Sequence, residues 1–266
     1  MFGNDALRLH FQTGLNSEGT RNIQELFEST VFNYSKPPSL LRELLQQVAN
    51  ADDIVLDFFA GSGTTAQAVL ELNAQDGGNR KFILVQLPEP TQRKDFATIA
   101  EITKERVRRV IKKLYEADNG KLPAENTPDR GFKVFKLSGS NFKVWDSANA
   151  PKDATGLAEQ LKLIANNVEE GRPEDALLYE LVLRSNLPLT SKVEAGRIGA
   201  QTFYDVADGT LAICLERKIT QETLRGIMAR KPKGVICLDI AFAGNDQLKT
   251  NTVLEMKSHG IEFHTA

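Results

Sequence analysis

Short apolar runs and amphipathic stretches alternate along the chain, and this pattern predicts strands and helices in turn. Residues 1–35 are polar and weakly patterned. Within them QTGLNSEGTRN reads as a loop and IQELFES as a short helix with Ile23, Leu26 and Phe27 on one face. Lys36-Pro37-Pro38 reads as extended, because proline disfavours the helical region in the residue before it. Ser39 stands where an N-cap would, ahead of a helical stripe of Leu40, Leu41, Leu44, Leu45 and Val48. Residues 54–59 form a continuous apolar run of the kind buried on both faces of a parallel sheet. A helix is expected over 64–72, a turn over 75–79, and a second buried strand over 82–87, stopped by Pro88 and Pro90. A long helix over 96–115 carries Lys104, Arg106, Arg108, Arg109, Lys112 and Lys113. Strand, helix, strand, helix in that order predicts a parallel, right-handed α/β arrangement.

Residues 116–131 are rich in Gly, Pro, Asn and Asp and read as a linker, after which FKVFKL (132–137) alternates like a strand. An irregular stretch then places Trp145 just before an expected boundary. From about 153 a second pattern begins, with helices near 154–166, 173–184, 220–230 and 246–258. Its strands are expected near 201–206, 210–216, 234–239 and 260–264. The fold class is therefore α/β. The first domain is expected over 1–146 and a smaller α/β domain over 153–266.

Composition narrows the function classes. At 41% hydrophobic and 26% charged the 266 residues suit a globular protein of one large or two ordinary domains. A net charge of −2 gives no overall basic signature, so contact with nucleic acid would need a local patch or a partner segment. The basic helix has two readings, a solvated face or a surface turned to DNA or a subunit. Trp145 likewise reads as packing or as a stacking platform. Cys214 and Cys237 lie inside apolar runs and suit buried thiols in a reducing compartment. They have no metal spacing, and His10, His259 and His264 are scattered, so no metal is expected. With no 18-residue apolar run and no apolar signal core at the N-terminus, no membrane contact and a cytoplasmic location are expected.

The densest chemistry lies in DFFAGSGTTAQAVLEL, Asp57 to Leu72, where an apolar run meets two glycines in three residues. A phosphate-binding loop of the G-x-x-x-x-G-K-[ST] kind needs a lysine after its glycines, and Thr64 and Thr65 stand there. Gly61, Gly63 and Ala66 satisfy a dinucleotide fingerprint, but Gln86 stands where that fingerprint wants an acidic residue. Asp57 would also oppose a pyrophosphate. S-adenosyl-L-methionine has an ammonium that Asp57 can serve and a carboxylate that the following helix N-terminus favours, and the glycines let backbone amides come close to its methionine part. An ordinary strand–helix turn without ligand is the remaining alternative.

VLDFFAGSGTTAQAVLELN, followed by DGGNRKFILVQLPEP, closely resembles the S-adenosylmethionine motifs of beta-class DNA adenine-N6 methyltransferases, and most of all the modification (Mod) subunits of Type III restriction–modification systems. VFNYSKPPSLLRELL, ITKERVRRVIKKL and GFKVFKLSGSNFKVW extend the resemblance, and the terminal α/β segment resembles the Mod C-terminal region. The resemblance implies a Rossmann-like methyltransferase sheet, present in part. It implies that Lys36 and Pro37 line the cofactor pocket. The loop of Phe58, Phe59, Ala60, Gly61, Ser62, Gly63, Thr64 and Thr65 would hold the methionine part beside Asp57. Gln86 would contact the ribose, with Glu89 as the rival carboxylate.

The catalytic Asp-Pro-Pro-Tyr motif of that family, which grips a flipped adenine, is not found; the one Pro-Pro is followed by Ser39. By resemblance the chain looks like the C-terminal part of such an enzyme, and no catalytic residue is assigned in it. The expectation is that it does not methylate DNA alone, since positioning supplies much of the rate. The first strand would have an open edge, which invites pairing. The partners implied are DNA through the N-terminal half, a second copy of the chain, and either a restriction (Res) subunit or a polypeptide carrying the catalytic half. A non-catalytic assembly module with a vestigial pocket is the alternative.

Overall fold

The computed structural model describes residues 16–118, 128–143 and 167–266. His10, Trp145 and the helix expected over 154–166 lie outside them. The chain divides into two compact units, Met1–Gly131 and Phe132–Ala266.

In the first unit the order is α1 (Asn16–Phe27), α2 (Pro38–Val48), β1 (Ile54–Asp57), α3 (Thr64–Asp76), β2 (Lys81–Leu84) and α4 (Ile99–Asp118). Helix α1 takes in a stretch expected as loop. Its Gly19 looks like a breaker, but it is a notch: a Cβ there would lie 2.0 Å from the Ser35 carbonyl oxygen, so the extended segment before Pro37 crosses α1 at that point. Ile23 and Phe27 are buried with Val31 and Ile102, which seats α1 against α4. Ser39 is not the N-cap expected of it. Pro37 occupies that position and Pro38 begins the helix, and Glu18 reaches over from α1 instead. Its carboxylate accepts the Ser39 N–H at 3.2 Å and the Ser39 hydroxyl at 2.6 Å, which places a negative charge at a helix N-terminus.

Helix α3 buries Ala66, Ala68, Val69, Leu70 and Leu72, residues that point all round it, because it packs between α2 and α4. It outlasts the expected helix and stops where Gly77 turns left-handed, at φ 72°. β1 pairs in parallel with β2, Ile54 opposite Lys81 and Asp57 opposite Leu84. The double burial expected of these strands is not found. Ile54 is 61% exposed, Leu56 57%, Ile83 51% and Val85 50%. These side chains share one face, which no described element covers, while the other face packs against the helices. Among the described residues β1 also has a neighbour on one side only.

The second unit begins with an extended segment and α5 (Glu174–Arg184). The strand expected over 132–137 pairs with no other among the described residues; Lys133 instead donates to Tyr179 and to the carbonyls of Leu189 and Ser191. Strands β3 (Val193–Ile198), β4 (Gln201–Val206), β5 (Leu211–Cys214), β6 (Gly234–Cys237) and β7 (Glu262–Thr265) form one sheet in that order. β3, β4 and β5 are antiparallel, and β5, β6 and β7 are parallel. Helices α6 (Gln221–Ala229) and α7 (Asp246–Ser258) complete it. β5 is buried at every residue because alternate side chains enter two cores: Leu211 and Ile213 meet α5, and Ala212 and Cys214 meet α6 and α7. Cys214 and Cys237 stand opposite each other across β5 and β6, both buried. β3 was not anticipated. Its Gly196 clears the ring of Phe203, which a Cβ would approach to 2.5 Å, and Glu194 and Arg197 interrupt its apolar residues. No helix among the described residues is long and apolar enough to cross a membrane.

Candidate functional site

At the carboxyl end of β1 the chain turns through Phe58, Phe59, Ala60, Gly61, Ser62 and Gly63 into α3. Gly61 (φ 52°) and Gly63 (φ 82°) are both left-handed, the conformation that a side chain would penalise. Asp57 braces the turn from inside. Its Oδ1 accepts the Phe59 N–H at 3.0 Å, and its Oδ2 accepts the Thr65 hydroxyl at 2.5 Å. Gln86, two residues beyond β2, clamps it from the side: its Oε1 accepts the Gly61 N–H at 2.7 Å, and its Nε2 donates to the Leu87 carbonyl at 3.1 Å. From α4 the Thr103 hydroxyl donates to the Gly61 carbonyl at 2.5 Å. The first N–H groups of α3 have no helical acceptor and make that helix end electropositive.

A cleft of about 360 Å³ opens between α2 and β1, lined by Leu41, Leu44 and Leu45, by residues 55–59 and by Thr65. Phe58 and Phe59 are exposed at its mouth with ring centroids 5.0 Å apart. Asp57, Gly61, Ser62, Gly63, Thr64, Thr65 and Gln86 thus form one bonded unit. Ser35 joins it, its hydroxyl 3.1 Å from that of Ser62 and 3.3 Å from that of Thr64. Pro37 is buried beside Ser35, and Lys36 is exposed. Glu89 is exposed and holds the Ile99 N–H through its carbonyl oxygen at 2.9 Å.

The residue that sequence reasoning missed is Arg106. Its side chain is wholly buried. Nη1 donates to the hydroxyls of Ser35, Ser62 and Thr64 at 2.9, 2.8 and 2.8 Å, Nε to Gln67 at 2.9 Å, and Nη2 to Asn22 at 3.1 Å. Burial pushes its pKa down to about 10, opposed by the charge of Glu71. The signal was present: Arg106 sits four residues from Ile102 and four from Val110, on the apolar stripe of α4. The other cations of that helix do not make one open patch. Lys104 pairs with Glu101 at 2.5 Å, and Arg109 pairs with Glu105 at 2.8 Å while lying over the Phe27 ring.

Part of the chain matches a known family. The DNA methylase family matches residues 9–113, which hold the turn, its clamps and most of α4. The chain is 40% identical over 147 residues to the Type III restriction–modification enzyme StyLTI Mod subunit of Salmonella typhimurium, covering 53% of the chain and 22% of that protein. It is 29% identical over 251 residues to the EcoP15I Mod subunit of Escherichia coli, covering 89% of the chain and 36% of that protein. It is 38% identical over 124 residues to the Type II methyltransferase M.KpnI of Klebsiella pneumoniae, covering 44% of the chain and 27% of that protein. The chain therefore spans about a fifth to a third of the length of these relatives. Residues 9–113 match the DNA methylase family, and the chain is similar to the modification subunits of Type III restriction–modification enzymes, as its motifs imply.

Proposed function

We propose that this chain forms the S-adenosylmethionine-binding part of a Type III DNA adenine-N6 methyltransferase, built on a Rossmann-like parallel sheet of which β1 and β2 are two strands. The observation that carries the reading is the braced glycine turn between β1 and the N-terminus of α3, inside the segment that matches DNA methylases.

The groups present suit the cofactor. The α3 N-terminus favours the carboxylate of its methionine part. Asp57 keeps lone pairs beyond those used by Phe59 and Thr65, enough to accept from an ammonium. The cleft has the size and apolar walls of a small-molecule site, and Phe58 and Phe59 at its mouth can cover a planar base. Lys36 and Pro37 flank the turn through Ser35. The Gln86 amide keeps one N–H for a ribose hydroxyl, with Glu89 as the rival. When bound, the cofactor supplies an electrophilic methyl group on sulfur. The chain's own residues bind and orient it. Grip on the target adenine needs an Asp-Pro-Pro-Tyr motif, which these 266 residues do not contain, so the chain on its own is inactive and works with polypeptide that brings that motif and the DNA contacts.

Calorimetric titration with S-adenosylhomocysteine tests the reading, beside an Asp57→Ala control. Micromolar binding, on the order of −8 kcal/mol, that disappears in the control supports a formed pocket. Absence of binding favours the second reading, an assembly module with a vestigial pocket. The bare apolar face of β1 and β2 favours that one, and in it the unit Phe132–Ala266 serves contact with a second copy or with a restriction subunit.

A further inference from the structure

Among the described residues of the first unit three arginines are buried. Two have ordinary ion partners: Arg80 meets Asp76 at 2.9 Å and Arg130 meets Asp118 at 2.6 Å. Arg106 differs. All five of its hydrogen bonds go to neutral oxygens, and the carboxylate of Glu71 is reached through Gln67, whose Nε2 donates to it at 2.7 Å. A buried cation without a bonded anion is a costly way to fill space, and an apolar side chain would fill it as well or better. What the guanidinium adds is its planar fork, which addresses several partners at once.

The partners come from separate parts of the chain. Asn22 lies in α1, Ser35 in the extended strap before Lys36 and Pro37, Ser62 in the turn, and Thr64 and Gln67 in α3. The three hydroxyls share the two hydrogens of Nη1, and that of Ser35 also lies within reach of the other two. On its far side the strap rests in the notch at Gly19. The strap is therefore held between α1 and the arginine.

We propose that Arg106 is a positioning residue of the turn: its fork fastens residues 35–37 to Ser62 and Thr64, so that the strap and the glycine turn form a single wall. The ligand-binding consequence rests on the cofactor reading above; the fastening of the strap does not.

The test uses the whole 266-residue chain and two substitutions. Arg106→Lys keeps the charge and loses the fork. Ser35→Ala keeps the fork and loses the strap's grip. Hydrogen–deuterium exchange of residues 33–37 is read beside the affinity for S-adenosylhomocysteine. The expected result in both variants is exchange faster by about tenfold or more at 33–37, with unit Phe132–Ala266 unchanged, and binding weaker by about tenfold. Exchange at the strap within about twofold of wild type in a folded variant overturns the proposal, as does a general loss of stability with no local change, which is what a filler residue would give. If Arg106→Lys does not fold, Ser35→Ala decides alone. If the unaltered chain does not bind S-adenosylhomocysteine, the cofactor reading is the one in difficulty, and strap exchange still decides the role of Arg106.

Discussion

Gly19 in α1 and Ser35 in the strap lie so close that a Cβ on the glycine would sit 2.0 Å from the serine carbonyl oxygen. The usual benefit of alanine over glycine inside a helix, about 0.5–1 kcal/mol, should therefore be reversed here. Gly19→Ala is expected to lower stability by about 1–3 kcal/mol, the range for forcing extra atoms into a packed contact. Urea denaturation reads this directly. A variant as stable as the parent would mean that the strap does not cross α1 at this point.

Glu18 caps a helix that is not its own. Glu18→Ala should cost about 1 kcal/mol, as loss of an N-cap does. Glu18→Ala and Ser39→Ala combined should cost less than the sum of the two, with a coupling of about 0.5 kcal/mol or more. Strict additivity in the double-mutant cycle would remove the cap from the account.

Gln86 is the acceptor for the Gly61 N–H at 2.7 Å. Gln86→Leu leaves that donor without its partner and should cost about 1–3 kcal/mol. Gln86→Glu retains an acceptor in the same place and should stay within about 1 kcal/mol of the parent. Equal losses in the two variants would show that this bond does not hold the turn.

Tyr204 supplies a pH signature for the other unit. Its hydroxyl donates to Glu174 at 2.8 Å. Burial, with help from that carboxylate, pushes its pKa up from 10.0 to about 12. The folded chain then keeps a proton that the unfolded chain releases. The stabilisation is complete below pH 10 and is lost as pH rises from there to about 12. Chemical denaturation across that window should show a shallower loss of stability for Tyr204→Phe than for the parent. Parallel curves would exclude Tyr204 as the source.

Much of the element order is legible in the sequence because the pattern is local. Residues 246–258 read as a helix and form α7, and the LAIC run at β5 is buried as a continuous apolar strand should be. The positive-φ positions at Gly61 and Gly63 also follow from the glycines themselves. The misses are long-range. Gly19 looks like a helix breaker until the strap is laid beside it. Ser39 looks like a cap until Glu18 arrives from 21 residues away. Gly196 weakens β3 as a strand signal because its purpose is to admit the Phe203 ring. Arg106 counts as one more surface cation until its apolar neighbours four residues away on either side are weighed. In the 132–137 segment the alternation is present but no paired neighbour is found among the described residues, and alternation alone does not make a ladder.

The chain's two thiols, Cys214 and Cys237, stand opposite each other in the sheet of unit Phe132–Ala266, and unit Met1–Gly131 has none. Both are closed to solvent, so an alkylating reagent can reach them only when that sheet opens. Labelling rate thus becomes a clock attached to one unit, silent about the other. Run with and without a ligand of the glycine turn, it reports whether filling the turn is felt by the sheet.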